Sequence, residues 1–287
     1  MIDGTYELFR AYYSKRPDHR TPEGWEARGV VGVVSSLLAL LHDEQEAVTH
    51  VGVAFDNPVE SFRNELFAGY KTGEGMDPVL YAQFDPVEDA VRALGITVWS
   101  MDRWEADDAL ATAARRFGDA FEQVRIMTPD KDLGQCVRGR RVVQIDRQRR
   151  KEIDEAALGE AWGIEPGSMP DMLALIGDSA DGIPGLPGIG EKTAAALLAR
   201  YEHLDLIPAD PASWDVRVRG AAKVAETLAS MREEALLYRR LATLISDVPL
   251  RESVEDLAFR GVPRPAFEAW CDRLGVTGLK ERPKRWA

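Results

Sequence analysis

The sequence predicts an α/β fold: a doubly wound, mostly parallel sheet flanked by helices, joined to a helical second region. Three observations predict it. Short β-branched and apolar runs alternate with helical stretches through about residue 150, the pattern of a parallel sheet built from strand–helix units. Beyond that point the strand signal stops, and helices follow one another across Gly/Pro turns. Acidic residues recur just after the strand runs, at the edge where open α/β sheets gather their ligands. We therefore expect a core over residues 1–150 and a helical region over 151–287.

Met1-Ile2-Asp3 is the stub of a first strand, short enough to predict a weakly anchored Asp3 and a natural start further upstream. Phe9 to Tyr13 opens a helical or loop segment, and Ser14 to Glu23 reads as a polar loop. Ala27 to Leu41 is an apolar helix in which Gly29 and Gly32 permit close packing. Val48 to Phe55 is almost continuously apolar, as expected of a strand buried on both faces, and stops at the turn signal Asp56-Asn57-Pro58. Residues 60–85 read as a mobile, partly helical excursion. Helices Pro86 to Leu94 and Glu105 to Phe117 end at Gly95 and Gly118, and strands are expected at 96–99, 123–127 and 142–145. A short helix should start at Asp132.

The composition is that of a soluble globular chain of 287 residues. No apolar run is long enough to span a membrane and no signal peptide opens the chain, so the expected location is the cytoplasm, with no membrane partner. Cys136 and Cys271 form neither a metal-ligand spacing nor a disulfide framework. A net charge of -12 argues against nucleic acid only if the carboxylates are spread evenly, since carboxylates gathered in a metal pocket leave room for local basic patches.

The carboxylates are not spread evenly. Asp3, Asp56, the trio Glu105, Asp107 and Asp108, and the pair Asp130 and Asp132 all stand where strands end, so a parallel sheet would bring them to one edge. Glu105 and Asp108 share a helix face, and Asp107 is turned about 100° from Asp108. Asp178 and Asp181, in Gly177-Asp-Ser-Ala-Asp-Gly182, can project together. Any one of these groups reads equally as a helix cap, Asp107 and Asp132 especially. As a set they need cations, and an all-oxygen set selects Mg²⁺ or Mn²⁺. Two such ions roughly 4 Å apart are the usual arrangement for in-line displacement at phosphate.

Ile183-Pro-Gly185-Leu-Pro-Gly188-Ile-Gly190-Glu-Lys192-Thr193 joins two helices through a Gly-rich turn. It is not a nucleotide P-loop, since the motif order is absent and no strand precedes it, so no nucleotide cofactor is expected. Its glycines and the following helix suit sequence-independent phosphate contacts. Arg217, Arg219 and Lys223 further on form a solvated face or a second phosphate patch.

In order along almost the whole chain, Asp3-Gly-x₄-Phe-Arg-Ala, Ala54-Phe-Asp56, Phe62-Arg63 with Tyr70-Lys71, Glu105-Ala-Asp107-Asp108, Thr128-Pro-Asp-Lys-Asp132, Gly177-Asp-Ser-Ala-Asp181 and the 183–193 hairpin resemble the 5′-nuclease (flap endonuclease) family, in the branch of the 5′-nuclease domain of bacterial DNA polymerase I. Here the chain stops where a polymerase would begin, so a stand-alone nuclease is expected. The resemblance implies a PIN-like core, in which 60–85 is arch-like, and a helix-hairpin-helix module. It implies that Asp3, Asp56, Glu105 and Asp107 hold one metal ion, and that Asp108, Asp130, Asp132, Asp178 and Asp181 belong to a second, directly or through water. A metal-bound hydroxide would attack the phosphodiester in line, leaving a 5′-phosphate and a 3′-hydroxyl. Arg63 and Lys71 would contact the scissile or neighbouring phosphates, and Arg10 the backbone beside them. Phe9 or a nearby tyrosine, Tyr13, would stack on the terminal base, and Tyr70 would also bind DNA. Gly185, Gly188, Gly190, Lys192 and Thr193 would grip duplex, with K⁺ held by hairpin carbonyls.

The implied partners are DNA with 5′ flaps, nicks or ends and RNA–DNA primers, in replication and repair in the bacterial nucleoid. Two departures from the family pattern stand out. The excursion after Lys71 carries Glu74 and Asp77 where relatives are often basic, which argues against strong clamping of a single-stranded flap. Gly182 replaces the Asn common before Ile-Pro-Gly, which reads as a modest change. Two other readings compete: a structure-specific DNA binder with weak or no catalysis, and a PIN-type ribonuclease, for which a duplex-gripping hairpin is superfluous.

Overall fold

The computed structural model describes all 287 residues. The strands are β1 (Ile2–Asp3), β2 (Gly52–Asp56), β3 (Thr97–Met101), β4 (Val124–Met127), β5 (Val142–Asp146) and β6 (Lys151–Ile153). The helices are α1 (Gly4–Tyr12), α2 (Arg28–Leu41), α3 (Phe62–Leu66), α4 (Pro78–Tyr81), α5 (Phe84–Ala93), α6 (Ala106–Phe117), α7 (Glu155–Trp162), α8 (Met169–Ile176), α9 (Glu191–Tyr201), α10 (Ala221–Ser230), α11 (Arg232–Ala242) and α12 (Arg264–Leu274). The expected class holds: mostly parallel strands with flanking helices, then a helical region. Two compact units are formed, one from Met1–Val59, Gly73–Leu110 and Val248–Ala287, the other from Glu60–Thr72 and Ala111–Asp247.

In the first unit the strands run β3-β2-β1, all parallel. The two residues of β1 suffice to anchor Asp3, contrary to expectation. Ile2 and Asp3 lie opposite Val53 and Ala54, Ile2 is buried, and Asp3 caps α1 by accepting from the Tyr6 amide at 2.8 Å. The Asx cap does locally what strand length would otherwise do. Helix α2 buries Val30, Val33, Val34, Leu37 and Leu38 completely, each contributing about 1.5–3 kcal/mol. Its approach to α1 depends on glycine: a Cβ on Gly32 would stand 2.7 Å from Ala11 Cβ, and one on Gly29 2.9 Å from Leu8 Cδ1.

Asp77 has a structural role here. It caps α4 through the Val79 amide at 2.9 Å and accepts from the Tyr12 hydroxyl at 2.6 Å. That hydrogen bond, with burial, pushes the Tyr12 phenol up to about 12. The acidic departure in the excursion is thus partly an internal tether.

In the second unit β4 and β5 are parallel and β6 runs antiparallel to β5. Strand β6 was not expected. Its three residues, Lys-Glu-Ile, carry no apolar alternation, and its pairing depends on the turn after β5. The helical core packs Met169, Met172 and Leu173 of α8 with Ala194 and Leu197 of α9 and Leu241 of α11. In the hairpin between α8 and α9, Leu186 donates to the Leu175 carbonyl at 2.8 Å. Gly185, at φ +70°, lies so close to α8 that a Cβ would meet Gly177 N at 2.4 Å. Gly185 therefore serves the packing of the hairpin onto its own helix, not the approach of a ligand.

Candidate metal centre and nucleic-acid interface

The second unit carries the clearest site. Asp132 follows β4 in a 3-10 turn (Lys131–Cys136), while Asp178 and Asp181 stand in the loop after α8. One carboxylate oxygen from each lies within 4.8 Å of the others. The loop is closed by reciprocal backbone bonds between Asp178 and Ile183, at 2.8 and 2.7 Å, and by an Asx turn from Ala180 N to Asp178 Oδ1 at 3.0 Å. Asp132 and Asp178 are each 5 % exposed, and Asp132 Oδ1 is buried with no hydrogen-bond partner. Burial, then the charges of Asp130, Asp181 and Asp178, push the Asp132 carboxyl well above the usual range, with Lys131 pulling the other way. An orphaned, buried carboxylate oxygen among two further carboxylates fits a hard divalent cation.

Two lysines border this cluster. Lys131 Nζ contacts Asp178 Oδ2 at 2.5 Å. Burial opposes its charge, but the bond to Asp178 and the fields of Asp178, Asp132 and Asp130 outweigh it and hold its pKa above the ordinary value. Lys71 Nζ lies 2.9 Å from Asp181 Oδ1, and its amide donates to the Asp181 carbonyl at 3.0 Å. Asn64 Nδ2 donates to the Lys71 carbonyl at 2.9 Å while its Oδ1 completes the Ser61 capping box of α3. Lys131 and Asn64 were not singled out in the sequence. Lys131 was legible as the middle residue of Asp-Lys-Asp, and Asn64 left no signal.

Gly182 explains how Lys71 comes so near. At φ +75°, it leaves room for the Gly69 carbonyl, which would stand 2.1 Å from any Cβ there. The change is therefore not modest. Asn tolerates positive φ, so Gly182→Asn isolates the clash from backbone strain. We expect it to lower stability by about 1–3 kcal/mol in urea unfolding, and unchanged unfolding would remove the packing role.

Asp130 is exposed, and its Oδ1 accepts from the Asp132 amide at 3.0 Å. The cap role expected of Asp132 belongs to Asp130, which leaves the Asp132 side chain to the cluster. In the first unit Asp56 Oδ1 accepts from the Ala106 amide at 2.8 Å, and Asp108 Oδ2 from the Glu105 amide at 3.0 Å. Glu105 and Asp108 are buried and Asp107 is partly exposed. Asp56 and Asp108 thus fix the start of α6.

Three expected nucleic-acid contacts are engaged internally. Arg63 is 1 % exposed, with Nε donating to the Leu241 carbonyl at 2.8 Å and a terminal nitrogen to the Thr243 carbonyl at 3.1 Å. It ties α3 to the end of α11 and is not presented to a phosphate. Arg63→Met should cost about 3 kcal/mol or more in urea unfolding, because buried carbonyls lose a charged donor; a loss of DNA affinity without a loss of stability would contradict this assignment. Tyr70 is 3 % exposed, its hydroxyl 3.3 Å from Asp181 Oδ2, so it supports the cluster and offers no face for stacking. Arg10 is bound to the buried Glu7, one turn earlier, and to Ser36 Oγ at 2.8 Å. It is an internal ion pair.

Tyr13 does stand free for stacking at 67 % exposure, within an aromatic row that runs through Phe9 to Phe84 and Tyr81. In the second unit a cleft of about 740 Å³ is lined by Lys131, Trp162, Asp178, Gly190, Lys192 and Thr193. Gly188 has φ +80° and open space around it. Arg217, Arg219 and Lys223 are exposed on and before α10.

Residues 1–163 match the family described as 5′-3′ exonuclease, N-terminal resolvase-like domain, and residues 164–265 match the 5′-3′ exonuclease, C-terminal SAM fold. DNA polymerase I of Pseudomonas aeruginosa is 36% identical over 309 residues, covering 99% of this chain and 33% of that protein. DNA polymerase I of Bacillus caldotenax is 33% identical over 286 residues, covering 98% of this chain and 32% of that protein. The chain thus spans about a third of the length of these relatives. In fold it is similar to T5 5′-exonuclease with bound zinc (TM-score 0.67, 18% identity, 98% of each chain). It is also similar to the catalytic core of Rad2 in complex with DNA substrate (TM-score 0.58, 12% identity, 96% of this chain and 86% of that one). No helix is long and apolar enough to cross a membrane. The two-part family match, over residues 1–163 and 164–265, leads to one conclusion: the chain belongs to the 5′-3′ exonuclease family.

Proposed function

We propose that this chain is a structure-specific 5′ nuclease that hydrolyses phosphodiester bonds at 5′ flaps, nicks and ends of DNA and in RNA primers, using Mg²⁺ or Mn²⁺. The observation that carries this reading is the unpartnered, buried Oδ1 of Asp132 beside Asp178 and Asp181. These three would hold one divalent ion, with Asp130 fixing the turn that aims Asp132. In the first unit Asp3, Asp56, Glu105 and Asp107 would hold another, with Asp108 setting Glu105. When bound, such ions neutralise charge on the scissile phosphate and activate the attacking water.

The chain's own residues do the rest. Lys71, steadied by Asp181, Asn64 and the close approach at Gly182, stabilises charge on the phosphate in the transition state. Lys131 neutralises Asp178, a task that a bound divalent ion would share. Tyr13 and Phe9 offer a stacking face for a terminal base. Lys192, Thr193 and the amides after Gly190 contact duplex phosphates, extended by Arg217, Arg219 and Lys223. The hairpin carbonyls between Gly185 and Gly190 are the candidate K⁺ ligands. In this reading residues 1–150 form the nuclease core and 151–287 the duplex grip, acting in the bacterial cytoplasm at the nucleoid.

The test is incubation with a 5′-labelled flap, a nicked duplex and a single strand, each with EDTA, Mg²⁺ or Mn²⁺. Cleavage near the flap junction only with metal is expected. Binding to the flap with no product in either metal would favour the catalytically weak binder, and preference for unpaired RNA the ribonuclease.

A further inference from the structure

Gln144 lies in the middle of β5, 2 % exposed, between Val143 and Ile145. A buried amide is costly unless its donors are met. Its Nε2 donates to the Thr128 carbonyl at 3.0 Å and also to the Asp130 carbonyl. The register places Gln144 opposite Ile126 on β4, beside the point where the chain leaves that strand for Asp130 and Asp132. A second glutamine continues the pattern. Gln135 Nε2 donates to the Asp132 carbonyl at 2.8 Å and to the Ala242 carbonyl at 3.0 Å, while its Oε1 accepts from the Leu244 amide at 3.0 Å. The carbonyls of Thr128, Asp130 and Asp132 are thus each held by a side-chain amide.

We propose that Gln144 is a positioning residue for the metal cluster. By fixing the backbone at Thr128 and Asp130 it holds the turn in which Asp130 caps the Asp132 amide, and so aims the Asp132 carboxylate at Asp178 and Asp181. An apolar side chain of the same size would satisfy the packing of β5; only the metal-bearing turn uses the amide. Outer groups that orient ligands in this way shift metal affinity by about 10–100-fold when removed. The inference rests on the metal-centre reading above.

The experiment is calorimetric titration of Mn²⁺ into the whole chain, without DNA, for the parent, Gln144→Leu and Gln144→Met. Met adapts to the site should the branched side chain not fold. Gln83→Leu is the control: Gln83 is equally buried and makes the same kind of bonds, accepting from Val30 N at 3.2 Å and donating to the Val79 carbonyl at 3.1 Å, but touches no carboxylate ligand. Both Gln144 variants should bind Mn²⁺ about tenfold more weakly, while Gln83→Leu loses thermal stability and keeps the parent affinity. Gln144 variants that bind within about twofold of the parent would overturn the proposal and leave a purely structural glutamine. A parent that binds no Mn²⁺ would instead overturn the metal centre itself, and this inference with it.

Discussion

Asp132→Asn should reduce metal-dependent cleavage roughly a thousandfold, about 4 kcal/mol of transition-state stabilisation, and should make the metal-free protein more stable. Both effects have one cause. Asp132 is buried, one of its oxygens has no partner, and three further carboxylates repel its charge. Its carboxyl is therefore raised in the folded chain above its unfolded value. A group raised in this way binds more protons folded than unfolded, so stability falls as pH climbs from the ordinary carboxylate range through the raised value. The amide carries no such penalty. In EDTA the variant should melt above the parent, by a margin that widens as pH rises across that window. With excess Mn²⁺ the order should reverse, because only the parent gains from an ion at the Asp132, Asp178 and Asp181 cluster. Differential scanning calorimetry in the two buffers reads this directly, and an Asn variant that melts below the parent in EDTA would show that Asp132 is held by something other than a cation.

Lys71→Ala should slow cleavage about a hundredfold at saturating DNA without weakening Mn²⁺ binding. The ammonium sits 2.9 Å from Asp181 Oδ1, so it competes with an ion for that carboxylate. Removing it frees Asp181 for metal while depriving the phosphate of a fixed positive charge. Rate and affinity should thus part company, and Lys71→Arg should recover a portion of the rate. Single-turnover kinetics alongside metal titration separates the two. Loss of Mn²⁺ affinity in proportion to the loss of rate would make Lys71 a support for Asp181 and nothing more.

The α/β class and most of the strands were legible because the strands from β2 to β5 are mostly apolar runs bounded by a glycine, a proline or a charged turn. The carboxylates were legible because they follow those runs. What stayed hidden depends on contacts distant in sequence. Arg63 reads as a surface cation until its carbonyl partners, Leu241 and Thr243, are seen. Tyr70 reads as a DNA contact until its burial and its hydroxyl's contact with Asp181 are seen. Arg10 stands next to the site motif, but Glu7 captures it across one helical turn. Gly182 shows its meaning only once the Gly69 carbonyl is placed against it. Strand β6 and the glutamine holds on the Asp130–Asp132 turn carry no periodic signal, since a three-residue charged edge and a single polar residue in a strand are both unremarkable in sequence.

The most direct measurement is a crystal of this chain soaked in Mn²⁺ and recorded with anomalous scattering. The expected result is a peak in contact with the carboxylates of Asp132, Asp178 and Asp181, with the Lys131 ammonium withdrawn from Asp178. An empty cluster at saturating Mn²⁺, with the Lys131–Asp178 pair intact, would contradict it.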